Sequence, residues 1–121
     1  MSCPTGVCVY DPKTGTDSVT CRLEMLDADL TAAGSTGLGG ATRASALLGK
    51  VGRARTLLEA SRSLAGRRRV RKLKSAGKQL TAFAKTVAHA EARGKIAATL
   101  ADPLLALAAD ASTRLQQLQA P

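Results

Sequence analysis

The chain of 121 residues is long enough for one domain with a modest hydrophobic core, and its formal net charge is +9 at pH 7. It has one Phe, one Tyr and no Trp, and Ala and Leu dominate its apolar fraction. Sheets favour β-branched and aromatic side chains, which are scarce here, so the composition predicts an all-α domain. No apolar run approaches the roughly 20 residues that a membrane-spanning helix needs.

Residues 1–17 are predicted to form an irregular arm, because Pro and Gly recur there and residues 11–15 favour a turn. The arm and the residues just after it contain all three cysteines, Cys3, Cys8 and Cys21. A disulfide between Cys21 and either of the other two would close a short loop, and the third cysteine would stay unpaired or have an upstream partner. The alternative is three reduced thiols. A zinc site is not favoured, because no fourth ligand lies nearby in the sequence.

Helices 1 and 2 are predicted from apolar spacing. Helix 1 should span 18–33, since leucines recur there at three- and four-residue intervals and glycines follow from Gly34. Helix 2 should span 41–65, and Gly66 is the expected residue just beyond its end. The seam of helix 2 alternates spacings of three and four: Ala44, Leu47, Val51, Ala54, Leu58, Ser61 and Ala65.

Helices 3 and 4 are predicted over 67–93 and 95–119, with Gly94 as the stop between them. Pro103 favours a break in helix 4, although a continuous, kinked helix is the alternative. The predicted seam of helix 3 is Val70, Leu73, Gly77, Leu80, Ala84 and Val87, flanked by Ala76 and Phe83. The predicted seam of helix 4 is Leu100, Leu104, Leu107, Ala111 and Leu118, with Ala108 and Leu115 beside it. Four amphipathic segments with short connections predict a single antiparallel bundle of about four helices over 18–119.

The positive charge is concentrated in the middle of the chain. Residues 41–95 hold fifteen of the eighteen Lys and Arg but only two acids. Because cations at a helix N-terminus oppose the helix macrodipole, an anion bound there would compensate. The predicted anion-binding residues at the start of helix 3 are Arg67, Arg68, Arg69, Arg71, Lys72, Lys74 and Lys78. The alternative interpretation is a solvated surface that keeps an Ala- and Leu-rich bundle soluble.

No catalytic constellation stands out in the sequence. The acids are scattered, and the only His lies far along the chain from the cysteines, so we expect no enzyme activity, no cofactor and no metal. The predicted function is an accessory or interaction module whose basic helical surface meets an anionic polymer or a protein partner. The alternative is a small basic nucleic-acid-binding protein, although helix-turn-helix, zinc-finger and RNA-recognition signatures are missing. A third hypothesis is self-association through the helix faces.

Three segments together resemble a known kind of module: 18–24, the glycine-rich break at 35–39 and the basic helix at 73–83. They resemble helical modules at the C-terminal ends of secreted, cysteine-containing proteins of environmental bacteria, over residues 17–119. The resemblance implies an extracellular context, a disulfide in the arm and a chain that continues upstream. The N-terminus lacks the charged and apolar regions of a signal peptide, which departs from that pattern. The expected location is therefore extracellular if the chain is cut from a secreted precursor, and cytoplasmic otherwise.

Overall fold

The computed structural model describes the backbone of residues 16–119 and the side chains of residues 19–119. This part of the chain consists of four helices: α1 Thr16–Gly37, α2 Ala41–Arg62, α3 Gly66–Ala92 and α4 Ala98–Gln119. Each helix packs against its neighbours in the chain, and α4 closes the ring against α1. The backbones of the two diagonal pairs of these four helices stay apart, with no two Cα atoms within 8 Å of each other. The predicted all-α bundle of four helices is therefore confirmed, with the helices at the corners of a square.

The hydrophobic core is one continuous cluster of aliphatic side chains around the buried ring of Phe83. Its members recur at spacings of three and four along each helix, which is the pattern of neighbouring helices that cross at a small angle. The predicted seam of α2 is confirmed from Ala44 to Ser61, and only Ala65 lies beyond the end of the helix. The buried hydroxyl of Ser61 donates to the carbonyl oxygen of Leu58, at 2.6 Å.

The seams of α3 and α4 differ in part from the prediction. In α4 the buried residues are Ala101, Leu104, Ala108, Ala111 and Leu115. The predicted Leu100, Leu107 and Leu118 are only partly buried, on the flanks of the helix. In α3 the buried residues are Leu73, Ala76, Leu80, Phe83, Val87 and Ala90. Small side chains let neighbouring helices approach closely, and this selects a register in which several alanines face inward.

α3 ends in a Schellman motif, which confirms the predicted end of this helix at Gly94. Gly94 has φ +73°, and its N–H donates to the carbonyl of Glu91 at 3.0 Å. The N–H of Lys95 donates to the carbonyl of Ala90 at 2.8 Å. Ile96 then returns to the core with 1% of its surface exposed, so the chain turns directly into α4.

The connection from α2 to α3 corrects one prediction. We expected α2 to reach residue 65 with Gly66 just beyond it, but α2 ends at Arg62 and Gly66 opens α3. Gly66 has φ +60°, a conformation that glycine adopts without steric cost. Gly66 therefore does lie at a helix boundary, but it is the first residue of α3 rather than the residue after the end of α2.

Two further helix boundaries can be compared with the prediction. Gly34 has φ +70°, so the predicted break in α1 is confirmed, although one more helical turn follows it to Gly37. The favoured break at Pro103 was wrong, because α4 runs through it from Ala98. Pro103 is exposed in the second turn of α4, where its missing N–H removes a single backbone hydrogen bond near a helix end.

Candidate anion-binding surface

A row of positive side chains runs along the outward face of α3. Its members are separated by multiples of three- and four-residue steps, which keep them on the side opposite the buried residues. All are exposed: Arg67, Arg71, Lys74, Lys78 and Lys85. We call these five residues the basic stripe. From its first to its last residue the stripe is about 27 Å long at 1.5 Å per residue.

Two more of the predicted cations widen this surface. Arg68 is exposed and Lys72 is half-buried, and both lie on the same flank of α3 as Thr86. Thr86 borders a shallow depression together with Arg43 of α2. The charge on α3 therefore extends from the stripe toward α2.

Arg69 has a different role from its neighbours. Its side chain is half-buried, and its Nη1 donates to the carbonyl oxygen of Leu118 at 3.3 Å. The last carbonyls of a helix have no partner within the helix, and a cation near them is favourable. Arg69 therefore joins the start of α3 to the end of α4, and we assign it a structural contact.

No acid neutralises the basic stripe within residues 19–119, where neither its five members nor Arg68 and Lys72 form an ion pair. Several arginines elsewhere in the bundle are paired with acids. Arg55 of α2 lies 3.5 Å from Glu24 and 3.6 Å from Asp27 of α1. Arg62 lies 3.2 Å from Glu59 on its own helix. The positive charge of α3 thus faces solvent without compensation from the described acids.

An ion pair between a buried arginine and a partly exposed aspartate joins the first and last helices. The side chain of Arg22 in α1 is only 9% exposed, and its Nε donates to the carboxylate of Asp110 in α4. Arg114 Nε donates to the other oxygen of the same carboxylate, at 3.1 Å. Desolvation alone would raise the pKa of Asp110, but the hydrogen bonds and charges of the two arginines outweigh it and lower that pKa.

The N-terminus of α3 has no compensating group of its own. Its N-cap is Ala65, which offers no side-chain hydrogen bond, and its first turn contains no acid. The first backbone N–H groups of a helix have no partner within the helix, and the macrodipole adds positive potential there. The start of α3 therefore combines two sources of positive potential: the arginines, and the unpaired N–H groups at the positive end of the helix dipole.

An open groove lies beside the start of the stripe, where α3 begins and α4 ends. We call it the terminal groove, and its volume is about 590 Å³. Its apolar floor contains Val70 and Leu118, both half-buried. Its rim carries the exposed side chains of Arg67, Arg71 and Lys74. Val70, predicted as a member of the core seam, instead lines this groove.

The cysteine prediction lies mostly outside the described residues. Cys21 is in α1 with 9% of its surface exposed, whereas Cys3 and Cys8 precede the described part of the chain. The disulfide therefore stays a prediction. Among residues 19–119 there is no group of three or more His, Cys, Asp and Glu side chains that could hold a metal ion.

Sequence reasoning missed three residues of this surface. Lys85 continues the stripe beyond Thr81, and extending the three-four spacing from Lys78 would have found it. Leu118 and Gln119 reach the terminal groove from α4. No local signal in the sequence marks those two, because they meet α3 only through the closure of the bundle.

Comparison with protein families, curated proteins and solved structures found no match to this chain. None of the described helices combines the length and the apolar character that crossing a membrane would require. The resemblance to modules of secreted bacterial proteins stays a prediction.

Proposed function

We propose that this protein is a non-catalytic interaction module that binds an extended anionic partner along the basic stripe. The observation that carries the proposal is the contrast in charge pairing. Four arginines on the other three helices have carboxylate partners, namely Arg22, Arg55, Arg62 and Arg114, whereas none of the five cations of the stripe has one among the described residues. A surface that is positive and unpaired attracts polyanions and raises their association rate.

The spacing of the stripe suits a linear partner. Its first four charges, from Arg67 to Lys78, are three or four residues apart, hence about 4.5 to 6 Å along the helix, and Lys85 follows seven residues later. Like charges at this spacing repel each other by a few tenths of a kcal/mol per pair in the free protein. A polyanion would relieve that repulsion, and each guanidinium could form charge-assisted hydrogen bonds with it.

Nucleic acid is the alternative partner, and the length of the stripe favours it. About 27 Å corresponds to about eight steps of a duplex at 3.4 Å per step. Phe83 is the only Phe, Tyr or Trp among the described residues and is fully buried, so the exposed imidazole of His89 is the one ring that this part of the chain offers for stacking a base. Such binding would therefore use the phosphate backbone and would depend little on sequence.

The test is fluorescence anisotropy with labelled duplex DNA, single-stranded RNA and a sulfated polysaccharide, titrated from low to physiological salt. The variant removes three stripe charges: Arg71→Gln, Lys74→Gln and Lys78→Gln. The matched control removes three exposed charges elsewhere: Arg53→Gln, Arg93→Gln and Lys95→Gln. Both triple variants have the same net charge, so any difference in their affinity for the polyanion comes from the position of the removed charges.

We expect the stripe variant to lose at least tenfold in affinity for the polyanion at low salt, while the control loses much less. If the protein prefers one of the three polymers at physiological salt, that polymer identifies the class of partner. If the preferred polymer is DNA or RNA, nucleic-acid binding replaces the general proposal. Equal losses in both triple variants would mean that only net charge matters, and the proposed site would be wrong. Absence of binding to all three polymers at low salt would reject polyanion binding altogether.

A further inference from the structure

The terminal groove offers chemistry that the rest of the basic surface lacks. The stripe presents charge on a convex helix face, whereas the groove is concave and combines cations with an apolar floor. The rim cations Arg67, Arg71 and Lys74 stand beside the exposed parts of Val70 and Leu118. None of the lining residues is an acid.

The groove is also held in shape by the bundle. The guanidinium of Arg69 donates a hydrogen bond to the carbonyl oxygen of Leu118 and so fixes the last turn of α4 against the start of α3. Leu118 packs against the core on its inner side, which keeps its outer side at the floor of the groove. The volume of about 590 Å³ lies within the range typical of small-molecule sites.

We propose that the terminal groove binds a monomeric amphiphilic anion, namely a single aliphatic chain that ends in a carboxylate. The carboxylate meets the guanidinium of Arg71 or Arg67, which can bind it through two hydrogen bonds. The first carbons of the chain cover Val70 and Leu118 and remove their apolar surface from water. This inference rests on the proposed function, because it assigns a ligand to one end of the same basic surface.

Charge and shape complementarity select this occupant over others. A small inorganic anion would leave the floor exposed, and a cationic amphiphile would be repelled by the rim. A polyanion can follow the stripe, but its highly polar backbone gains nothing from two aliphatic side chains. A carboxylate with an aliphatic chain satisfies both parts of the groove.

The probe is dodecanoate, held below its micelle concentration and titrated into isotopically labelled protein observed by amide NMR. Acetate supplies the same headgroup without a chain, and dodecyltrimethylammonium supplies the same chain with the opposite charge. We expect saturable binding of dodecanoate, with amide shifts concentrated at residues 66–74 and 118–119. Acetate and the cationic amphiphile should produce no saturable shifts there.

Three single variants test the assignment of the floor and rim. Arg71→Gln should weaken dodecanoate binding about tenfold, because it removes a charge-assisted contact. Val70→Ser should weaken it about fivefold, because it removes apolar floor. Lys78→Gln, a stripe residue outside the groove lining, is the control and should change affinity less than twofold. Circular dichroism spectra and thermal melts verify that each variant is folded before its affinity is compared.

The outcomes separate this inference from the proposed function. Val70→Ser keeps every charge of the stripe, so polyanion binding should be unchanged in this variant while dodecanoate binding is weakened. The groove assignment is overturned if the cationic amphiphile binds equally well, if Lys78→Gln weakens binding as much as Arg71→Gln, or if dodecanoate shows no saturable binding. It is also overturned if the protein binds anionic vesicles but not monomeric dodecanoate. Any of these results would leave the polyanion experiment to be judged separately.

Discussion

Arginine has opposite roles on the two sides of this bundle. Between α1 and α4, Arg22 is 9% exposed at its side chain and is paired with Asp110. On α3, Arg67 and Arg71 are exposed and have no carboxylate partner among residues 19–119. The first arrangement joins two helices, and the second leaves charge available to another molecule.

The difference follows from the cost of desolvation. Burying a guanidinium without a partner is very unfavourable, so a buried arginine must be paired where the bundle closes. An exposed guanidinium keeps its hydration, and a surface carboxylate would add little to stability. The stability of α3 therefore does not explain why the acids lie on α1, α2 and α4 rather than in the first turns of α3.

The largest expected effect is the loss of stability when Arg22 is replaced. Arg22→Ala removes a buried side chain together with its contact to the partly exposed carboxylate of Asp110, and it should lower the free energy of unfolding by about 2 kcal/mol. Urea denaturation followed by circular dichroism measures this change. Arg71→Ala is the matched control on the other side and should stay within about 0.5 kcal/mol of the unmodified protein. Similar losses in the two variants would contradict the distinction between the two sides.

The second prediction concerns the change in stability when the pH is lowered. Because the pKa of Asp110 is lower in the folded protein than its ordinary value of 3.8, its contribution to stability is fully present above that pH. It is lost as the pH falls below 3.8 through the lowered pKa of the folded state. Asp29 acts in the opposite direction: burial raises its pKa, so the folded state gains relative stability as Asp29 becomes protonated on acidification.

Denaturation midpoints between pH 6 and pH 2 test this assignment in the unmodified protein and in Asp110→Asn. The variant should be less stable than the unmodified protein at pH 6, and the gap should narrow below pH 3.8. Asp29→Asn serves as the second variant. It should be more stable than the unmodified protein at pH 6, and this difference in stability should shrink as the pH falls and Asp29 becomes protonated. A constant gap for Asp110→Asn across the whole range would contradict the role of its ionised carboxylate.

The smallest expected effect is the response of stability to salt. Salt screens repulsion within the stripe, so raising sodium chloride from low concentration to 0.5 M should stabilise the protein by up to about 1 kcal/mol. In the triple variant Arg71→Gln, Lys74→Gln and Lys78→Gln, most of this gain should disappear. The triple variant Arg53→Gln, Arg93→Gln and Lys95→Gln should retain it. A loss of the salt effect in both would mean that net charge, rather than the stripe, is responsible.

Much of this fold follows from spacing in the sequence. The leucines of α1 and the seam of α2 have one clear apolar face, and the glycine at 94 gives an unambiguous helix end. The register of α4 could not be predicted in the same way. Its apolar residues cover most of its circumference, so Leu100 and Ala101 were equally acceptable as core residues by pattern. Packing against α1 and α3 decided between them.

The candidate surface was predicted less completely. The cluster of cations at the start of α3 is visible in the sequence, and their common face follows from helical spacing. Neither the bond from Arg69 to α4 nor the pairing of Arg22 with Asp110 has any sequence signal, because each joins residues that are distant along the chain. Such contacts depend on how the helices are arranged in the bundle.

The bond between Arg69 and Leu118 also has a consequence for local opening of the molecule. The end of a helix normally frays, and its amide hydrogens exchange rapidly with solvent. Here the last turn of α4 can separate from α3 only if the guanidinium of Arg69 releases the carbonyl of Leu118. Hydrogen exchange in the final turn of α4 should therefore be slower than fraying alone would allow, and slower again when the terminal groove is occupied.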